Sequence, residues 1–304
     1  MMSHIQDDVL RLKKEKNAVL LVHNYQRPEI QDVGDFLGDS LGLSMQASKT
    51  KADVIVFCGV DFMAESAKIL NPEKTVIHPE PAAKCPMAAM VDAEGLRAVK
   101  REHPDAVTVA YVNTSAEVKT ECDYCCTSAN AVKVIKSLKE KKIIFIPDTN
   151  LGLYVRRFVT DKELILWPGF CPTHQNITKE DLLALKKLHP DAEIVVHPEC
   201  TPEVIDMADF VASTEGMVKR ARESAKLEFI MGTEKEMCYR LKKENPGKKF
   251  YHTDKSICPN MKKITIEKVA DSLKTLEPKV TLSREIIEKA CLPLKRMMDV
   301  GRGN

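Results

Sequence analysis

Three cysteines in the chain are each followed directly by a proline, in the stretches KCPMA, FCPTH and ICPNM. They are Cys85, Cys171 and Cys258, and they lie 86 and 87 residues apart (171 − 85 and 258 − 171). Proline keeps the backbone at such a position out of a helix, which suits a thiolate held at the tip of a loop. Three thiolates brought together would form a soft metal site with one coordination position open. The spacing therefore predicts a metal centre assembled from three distant parts of the chain.

The residue types leave the identity of this metal open. Zinc bound by three cysteines and a water predicts a hydrolase or deaminase that uses the metal as a Lewis acid. A [4Fe-4S] cluster bound by three cysteines predicts one iron that can bind substrate oxygens, or a cluster that serves only as a sensor. The ligands of zinc ribbons and ferredoxins lie a few residues apart, so the long spacing here fits neither and does not decide between iron and zinc.

The other cysteines carry weaker signals. Cys122 and Cys125 form a C-x-x-C pair, which alone predicts a redox pair or half of a zinc site. This pair has no second copy in the chain, so we do not assign it to the metal centre. Buried or incidental thiols are the interpretation for four others, namely Cys58, Cys200, Cys238 and Cys291.

Composition restricts the class of protein. The chain has 304 residues, of which 44% are hydrophobic and 30% charged, with a net charge of +2. This is ordinary globular composition, and it gives no reason to expect nucleic acid or a membrane surface as partner. The apolar runs are too short to span a bilayer, and the N-terminal segment shows no apolar signal core. Ten cysteines without an export signal therefore predict a reducing compartment and a cytoplasmic protein.

Helix-like and strand-like segments repeat at the stride of the cysteines. An amphipathic segment runs into a β-branched strand in DDVLRLKKEKNAVLLVHNY, GLRAVKREHPDAVTVAYVN and DLLALKKLHPDAEIVVHPE. Two further strands and helices follow each of these before the Cys-Pro, and such alternation predicts parallel sheets flanked by helices. We therefore predict an α/β fold of three αβα units around a pseudo-threefold axis. Their predicted bounds are 1–84, 85–170 and 171–258, with C-terminal helices in 259–304 packing back on the body.

Polar side chains occur in pairs where the first strand of each unit ends. The pairs are His23 with Tyr25, Tyr111 with Asn113, and His197 with Glu199. Side chains two residues apart in an extended segment lie on the same face. Ligands of open α/β sheets bind outside the carboxyl ends of the strands. The three pairs are therefore expected to face one shared site.

A hydroxyl residue follows each of these pairs at a constant distance. Ser40, Ser128 and Thr214 each lie 17 residues after the first member of a pair, where a helix is expected to begin. These positions predict helix N-caps. The N-terminus of a helix offers free N–H groups and a partial positive charge. Three helix starts directed at one cavity would predict a strongly anionic ligand.

Several ordered motifs of the chain resemble those of the quinolinate synthase family, and the resemblance covers almost the whole sequence. The motifs are HNYQRPEIQDVGDFLGDSLGLS, KCPMA, YVNTSAEVK, CCTSANAV, PDTNLG, WPGFCPTH, HPEC and STEGM. The resemblance implies three α/β domains around a pseudo-threefold axis and a [4Fe-4S] cluster held by Cys85, Cys171 and Cys258. It also implies condensation of iminosuccinate with dihydroxyacetone phosphate to quinolinate, phosphate and water, in NAD biosynthesis. L-Aspartate oxidase or aspartate dehydrogenase would then supply the imine.

The resemblance and the repeats together assign roles to individual residues. Glu199 is predicted to act as general base or acid, and Tyr25 and Tyr111 to relay protons or orient an intermediate. His23 and His197 are predicted to donate to carboxylate or carbonyl oxygens. His174 is predicted to lie either behind the metal ligands or on the surface. The predicted substrate-binding set comprises His23, Ser40, Tyr111, Val112, Asn113, Ser128, His197, Pro198, Glu199 and Thr214.

Overall fold

A computed structural model describes residues 3–302 of the chain. Within them lie three sheets of four parallel strands each, flanked by helices, which confirms the predicted α/β fold class. The first two positions of the predicted segment 1–84 and the last two of 259–304 lie outside the described residues.

The first sheet has the strand order β2-β1-β3-β4, and all of its strands are parallel. Strands β1 and β3 lie at its centre and are buried almost throughout, because helices cover both of their faces. In chain order the elements are α1 (His4–Glu15), β1 (Ala18–His23), α2 (Pro28–Gln31), β2 (Phe36–Gly38), α3 (Ser40–Lys49), β3 (Val54–Cys58), α4 (Asp61–Leu70) and β4 (Thr75–Ile77).

The second sheet repeats this arrangement with the order β6-β5-β7-β8. Its central strands again read as β-branched, buried runs. The elements are α5 (Ala93–Glu102), β5 (Val107–Tyr111), α6 (Ala116–Lys119), β6 (Tyr124–Cys126), α7 (Ala131–Ser137), β7 (Lys142–Ile146), α8 (Thr149–Arg156) and β8 (Glu163–Leu166).

The third sheet has the order β10-β9-β11-β12 and is followed by two C-terminal helices. The elements are α9 (Pro172–Gln175), α10 (Lys179–Leu188), β9 (Glu193–Val196), α11 (Pro202–Asp206), β10 (Phe210–Val211), α12 (Thr214–Glu223), β11 (Glu228–Gly232), α13 (Met237–Glu244), β12 (Lys249–Tyr251), α14 (Ile266–Thr275) and α15 (Arg284–Val300).

Each sheet contains one strand more than the sequence predicted. The extra strands are β2, β6 and β10, at one edge of each sheet, and each is preceded by a helix of four or five residues. The prediction had only a loop at these places. The edge strands are two or three residues long, which is too short to produce a recognisable alternation of apolar and polar residues.

The two C-terminal helices pack against the earlier elements. Helix α14 lies on α1, and α15 packs against α4, α6 and β6, so it joins the first and second sheets. Helix α15 buries Ala290, Leu294 and Met297, which are spaced as one face of a helix requires. No helix within residues 3–302 is both long enough and apolar enough to cross a membrane.

Candidate active site

One cavity lies at the carboxyl ends of the strands of all three sheets. It is lined by the residue pairs that follow the first strand of each sheet, by the hydroxyl residues 17 positions later and by the three Cys-Pro loops. The lining residues that the sequence singled out are His23, Tyr25, Ser40, Cys85, Tyr111, Asn113, Ser128, Cys171, His174, His197, Glu199, Thr214 and Cys258.

Two members of the predicted substrate-binding set do not line this cavity. Val112 and Pro198 are the middle residues of their strand-end segments, and the cavity lining does not include them. Successive side chains of an extended segment point to opposite faces, so the middle residue faces away when its two neighbours face the cavity. Val112 packs in the core, and Pro198 lines a neighbouring surface pocket.

The hydroxyl residues line the cavity, but the prediction that they cap helices is wrong. The residue before Ser40 is the N-cap of α3, where the Asp39 carboxylate accepts from Gly42 N–H. Ser213 caps α12 in the same way, one residue before Thr214. In the second sheet, Ser128 lies in a turn two residues before the helix cap. Because other residues cap these helices, the predicted hydroxyls are free to face the cavity.

Glu199 lies at the centre of the polar groups. Its side chain is 4% exposed, and it accepts hydrogen bonds from the Tyr111 hydroxyl and, at 2.7 Å, from Nδ1 of His174. Burial alone would raise the pKa of Glu199, but its electrostatic interactions with the neighbouring His174 and His197 rings and the hydrogen bonds from His174 and Tyr111 hold it below its usual range. The carboxylate is therefore ionised at neutral pH and is an acceptor for hydrogen bonds inside the cavity.

His174 and Thr233 belong to this network, although the place of His174 was left open by the sequence analysis and Thr233 was not predicted. His174 is buried, so it does not lie on the surface. Thr233 is also buried, and its hydroxyl lies 3.0 Å from His174 Nε2 and 2.6 Å from the Tyr25 hydroxyl. Thr233 directly follows the end of β11, so the strand-end argument would have found it if it had been applied to the second strand of each sheet.

Two histidines of the cavity are fixed as neutral hydrogen-bond donors. Nδ1 of His23 accepts from Tyr25 N–H at 3.2 Å, and Nδ1 of His197 accepts from Glu199 N–H at 3.3 Å. The second ring nitrogen of each therefore carries the proton, and that of His197 lies 3.2 Å from the Ser128 hydroxyl. Burial lowers the pKa of His23 to about 4 and that of His197 to about 3.

The lowered pKa values of these two histidines determine how the stability of the protein is expected to depend on pH. Because the folded pKa values lie below the ordinary value of 6.5, the unfolded chain takes up protons that the folded chain does not bind. The stability that depends on these neutral histidines is fully present above pH 6.5 and is lost as the pH falls towards 4. We expect each histidine to lower the free energy of unfolding by about 1.4 kcal/mol per pH unit in this window.

Urea titrations of the metal-free protein at pH 7, 6 and 5 measure this loss. His23→Asn should make the dependence on pH shallower than in the unsubstituted protein. Equal slopes for both proteins would contradict the assignment of His23 as a buried neutral group.

The three Cys-Pro thiols face the same cavity. Burial is the main cause of a raised pKa in all three thiols, and that of Cys171 is raised further by Glu199 and by the two other thiols. Asp61 accepts from Cys85 N–H at 3.0 Å, and Glu234 accepts from Cys258 N–H at 3.3 Å. Each carboxylate precedes its cysteine by 24 residues, so two of the loops are held in the same way.

The spacing of possible ligand atoms bears on the type of metal centre. Among residues 3–302, the ligand atoms of Cys171, His174 and Glu199 form a group of three within 4.8 Å of one another, and the three cysteine sulfurs do not. A tetrahedral zinc ion with Zn–S bonds of about 2.3 Å would place its sulfurs about 3.8 Å apart. At least one pair of the cysteine sulfurs is thus farther apart than one zinc ion requires, although all three thiols line one cavity.

The C-x-x-C pair lies outside this site. Cys122 and Cys125 are buried in the core, and neither lines the cavity. The Cys122 thiol donates to the carbonyl oxygen of Val118, one turn earlier in the chain. The pair is thus part of the packing of the second sheet.

An α/β fold whose strand ends enclose three thiols, an ionised carboxylate and neutral imidazoles defines an enzyme with a candidate metal centre. The family model described as quinolinate synthetase A protein matches residues 7–299, and the chain belongs to this family. It is 53% identical over 295 residues to a quinolinate synthase of Methanoregula boonei, covering 97% of each chain. It is 53% identical over 299 residues to that of Thermodesulfovibrio yellowstonii (98% and 99% covered) and 50% over 302 residues to that of Aquifex aeolicus (97% and 94%).

Proposed function

We propose that the protein forms quinolinate from iminosuccinate and dihydroxyacetone phosphate, with release of phosphate and water. The observation that carries this proposal is the meeting of three Cys-Pro loops and the Glu199–Tyr111 pair in one cavity. Membership of the quinolinate synthetase A family supports the same reaction. Iminosuccinate is an oxidation product of aspartate, so an aspartate-oxidising enzyme, either L-aspartate oxidase or aspartate dehydrogenase, is the proposed supplier.

The proposed cofactor is a [4Fe-4S] cluster bound by Cys85, Cys171 and Cys258. Three thiols that share a cavity, with at least one pair of sulfurs farther apart than zinc requires, fit a cluster better than a single ion. With only three protein ligands, such a cluster would supply a Lewis-acidic iron that makes a substrate hydroxyl a better leaving group. This geometry argues against the zinc hydrolase, and the network around Glu199 argues against a sensor without catalytic function.

Glu199 is proposed to remove and return protons during the condensation and dehydration steps. The carboxylate is ionised, and the Tyr111 hydroxyl donates a hydrogen bond to it. This hydroxyl would adjust its hydrogen bond when Glu199 gains or loses a proton. Tyr25 faces the cavity from the first sheet and would orient the intermediate. The protonated Nε2 atoms of His23 and His197 would donate to oxygens on which negative charge develops.

The anionic groups of the substrates are proposed to bind at the hydroxyl turns. Among the described residues that line the cavity there is no lysine or arginine, so hydroxyls and backbone N–H groups must supply most of the donors. Ser40 and Thr214 are the first residues of α3 and α12, where N–H groups are free and the helix dipole favours negative charge. The Ser128 hydroxyl and the Nδ2 group of Asn113, both in the cavity lining, would complete this set of donors.

Anaerobic purification followed by an activity assay tests the function. Protein reconstituted with iron and sulfide should contain about four of each per chain and should convert the two substrates into quinolinate, detected by mass spectrometry. Zinc content near one ion per chain, with bound metal depending on His174 and Glu199, would instead indicate the compact Cys171–His174–Glu199 group as the metal site.

A further inference from the structure

Lys119 is a buried cation whose partners are backbone carbonyls. It is the last residue of α6, its side chain is fully buried, and it is the largest side chain enclosed to this degree. Its ammonium donates to the carbonyl oxygens of Val112, at 2.8 Å, and of Thr114. These two carbonyls flank Asn113, which faces the cavity. Lys119 thus holds both sides of one cavity residue.

Gln31 makes the same contacts in the first sheet. It is the last residue of α2, and its amide donates to the carbonyl oxygens of Asn24, at 3.2 Å, and Gln26, at 2.8 Å, and also lies 3.2 Å from the carbonyl oxygen of Glu236. These carbonyls flank Tyr25, which also faces the cavity. Lys119 and Gln31 lie 88 residues apart, as do Asn113 and Tyr25, so the two contacts are equivalent in the repeat.

The third sheet has no such donor at the equivalent position. Eighty-six residues after Lys119, the spacing that separates Tyr111 from His197, lies the apolar Ile205 of α11. At this strand end, however, Pro198 stands between the two cavity residues His197 and Glu199. The ring of proline fixes the backbone dihedral φ. The segment of the third sheet is therefore restricted by a covalent ring, whereas the equivalent segments of the first and second sheets are held by hydrogen bonds.

We propose that Lys119 and Gln31 are positioning residues, which fix Asn113 and Tyr25 in the cavity by holding the carbonyls on either side of each. This rests on the proposed function, because it assigns both cavity residues to substrate. Burying an ammonium without a carboxylate in direct contact is costly, which would be unnecessary if α6 only had to pack. Displacing a binding group by about 1 Å can lower turnover about a hundredfold.

Substitutions at Lys119 separate its hydrogen bonds from its charge. Lys119→Gln introduces the residue that the first sheet uses, so it keeps donors for both carbonyls and removes only the charge. Lys119→Leu removes the donors. In reconstituted holoenzyme we expect Lys119→Gln to keep most of the activity, and Lys119→Leu to lose about tenfold or more in kcat/KM and in quinolinate affinity. Ile205→Leu, at the equivalent place in the third sheet, is the matched control and should leave both unchanged.

Gln31→Leu tests the same idea independently if Lys119→Leu does not fold. The carbonyl oxygen of the Gln31 amide has no partner, so the only hydrogen bonds that Gln31→Leu removes are those that its Nε2 atom donates to backbone carbonyl oxygens. We expect Gln31→Leu to lower kcat/KM about tenfold or more. Wild-type activity in folded Lys119→Leu or Gln31→Leu would overturn the proposal, and so would equal losses in Lys119→Gln and Lys119→Leu.

A double-mutant cycle distinguishes positioning from simple stabilisation. If Lys119 acts through Asn113, Lys119→Leu should cause little further loss of activity in an Asn113→Ala background. Losses that multiply independently would instead show a general effect on the fold. If the wild-type holoenzyme forms no quinolinate at all, the proposed function fails, and that outcome is separate from the comparison among these variants.

Discussion

Replacing Glu199 with glutamine will leave a folded, metal-loaded protein that forms quinolinate about a hundredfold to ten-thousandfold more slowly. Glutamine has nearly the same shape, so the packing around the side chain is kept. Glutamine cannot accept a proton from substrate, however. In the unsubstituted protein, Tyr111 and His174 both donate hydrogen bonds to the Glu199 carboxylate. The loss should therefore appear mainly in kcat.

Activity assays and metal analysis of the same preparations check this expectation. Glu203→Gln is a suitable control, because Glu203 is exposed on α11 only four residues away and takes no part in the cavity. Its activity should equal that of the unsubstituted protein. Unchanged turnover in Glu199→Gln with normal metal content would remove Glu199 from its proposed role as proton acceptor.

Alanine at any one of Cys85, Cys171 or Cys258 will abolish quinolinate formation and the bound iron together. Each thiol comes from a different sheet's Cys-Pro loop, so no neighbouring thiol on the same loop can replace it. The broad visible absorption of an iron–sulfur cluster should be lost in parallel with activity. Iron and sulfide content, absorption and turnover of anaerobically reconstituted protein measure these effects.

Cys122→Ala is the matched control for these variants. Cys122 is a buried thiol of the second sheet that does not line the cavity, so its loss should leave cluster and activity intact. Retention of iron in all three Cys-Pro variants, with loss in Cys122→Ala, would show that the C-x-x-C pair binds the metal.

Repetition within the sequence made much of this architecture predictable. The constant distance from His23 to Ser40 and from Tyr111 to Ser128 pointed to equivalent strand ends and helix starts, and these residues do line one cavity. Parallel strands place their carboxyl ends at one edge, so the positions of chemical groups could be inferred before their distances were known.

Contacts between sheets could not be predicted from the same patterns. Thr233 lies beside Tyr25 although 208 residues separate them, and Asn24 donates to Thr214 across 190 residues. Lys119 appears in the sequence as an ordinary polar residue at the end of a short amphipathic segment. Lys119 is buried against the turn after β5, whose carbonyl oxygens it contacts. The local pattern of apolar and polar residues gives no sign of this contact.

The distribution of the three thiols also constrains how the mature protein is made. A nascent chain that has reached the end of the second sheet carries only one of the three Cys-Pro cysteines, and the full set exists only after Cys258 has been synthesised. The cavity that encloses them is closed by contacts between the first and third sheets. Delivery of iron and sulfide for the proposed cluster would therefore belong to a late stage of biogenesis, after translation of most of the polypeptide and before, or during, docking of the last sheet.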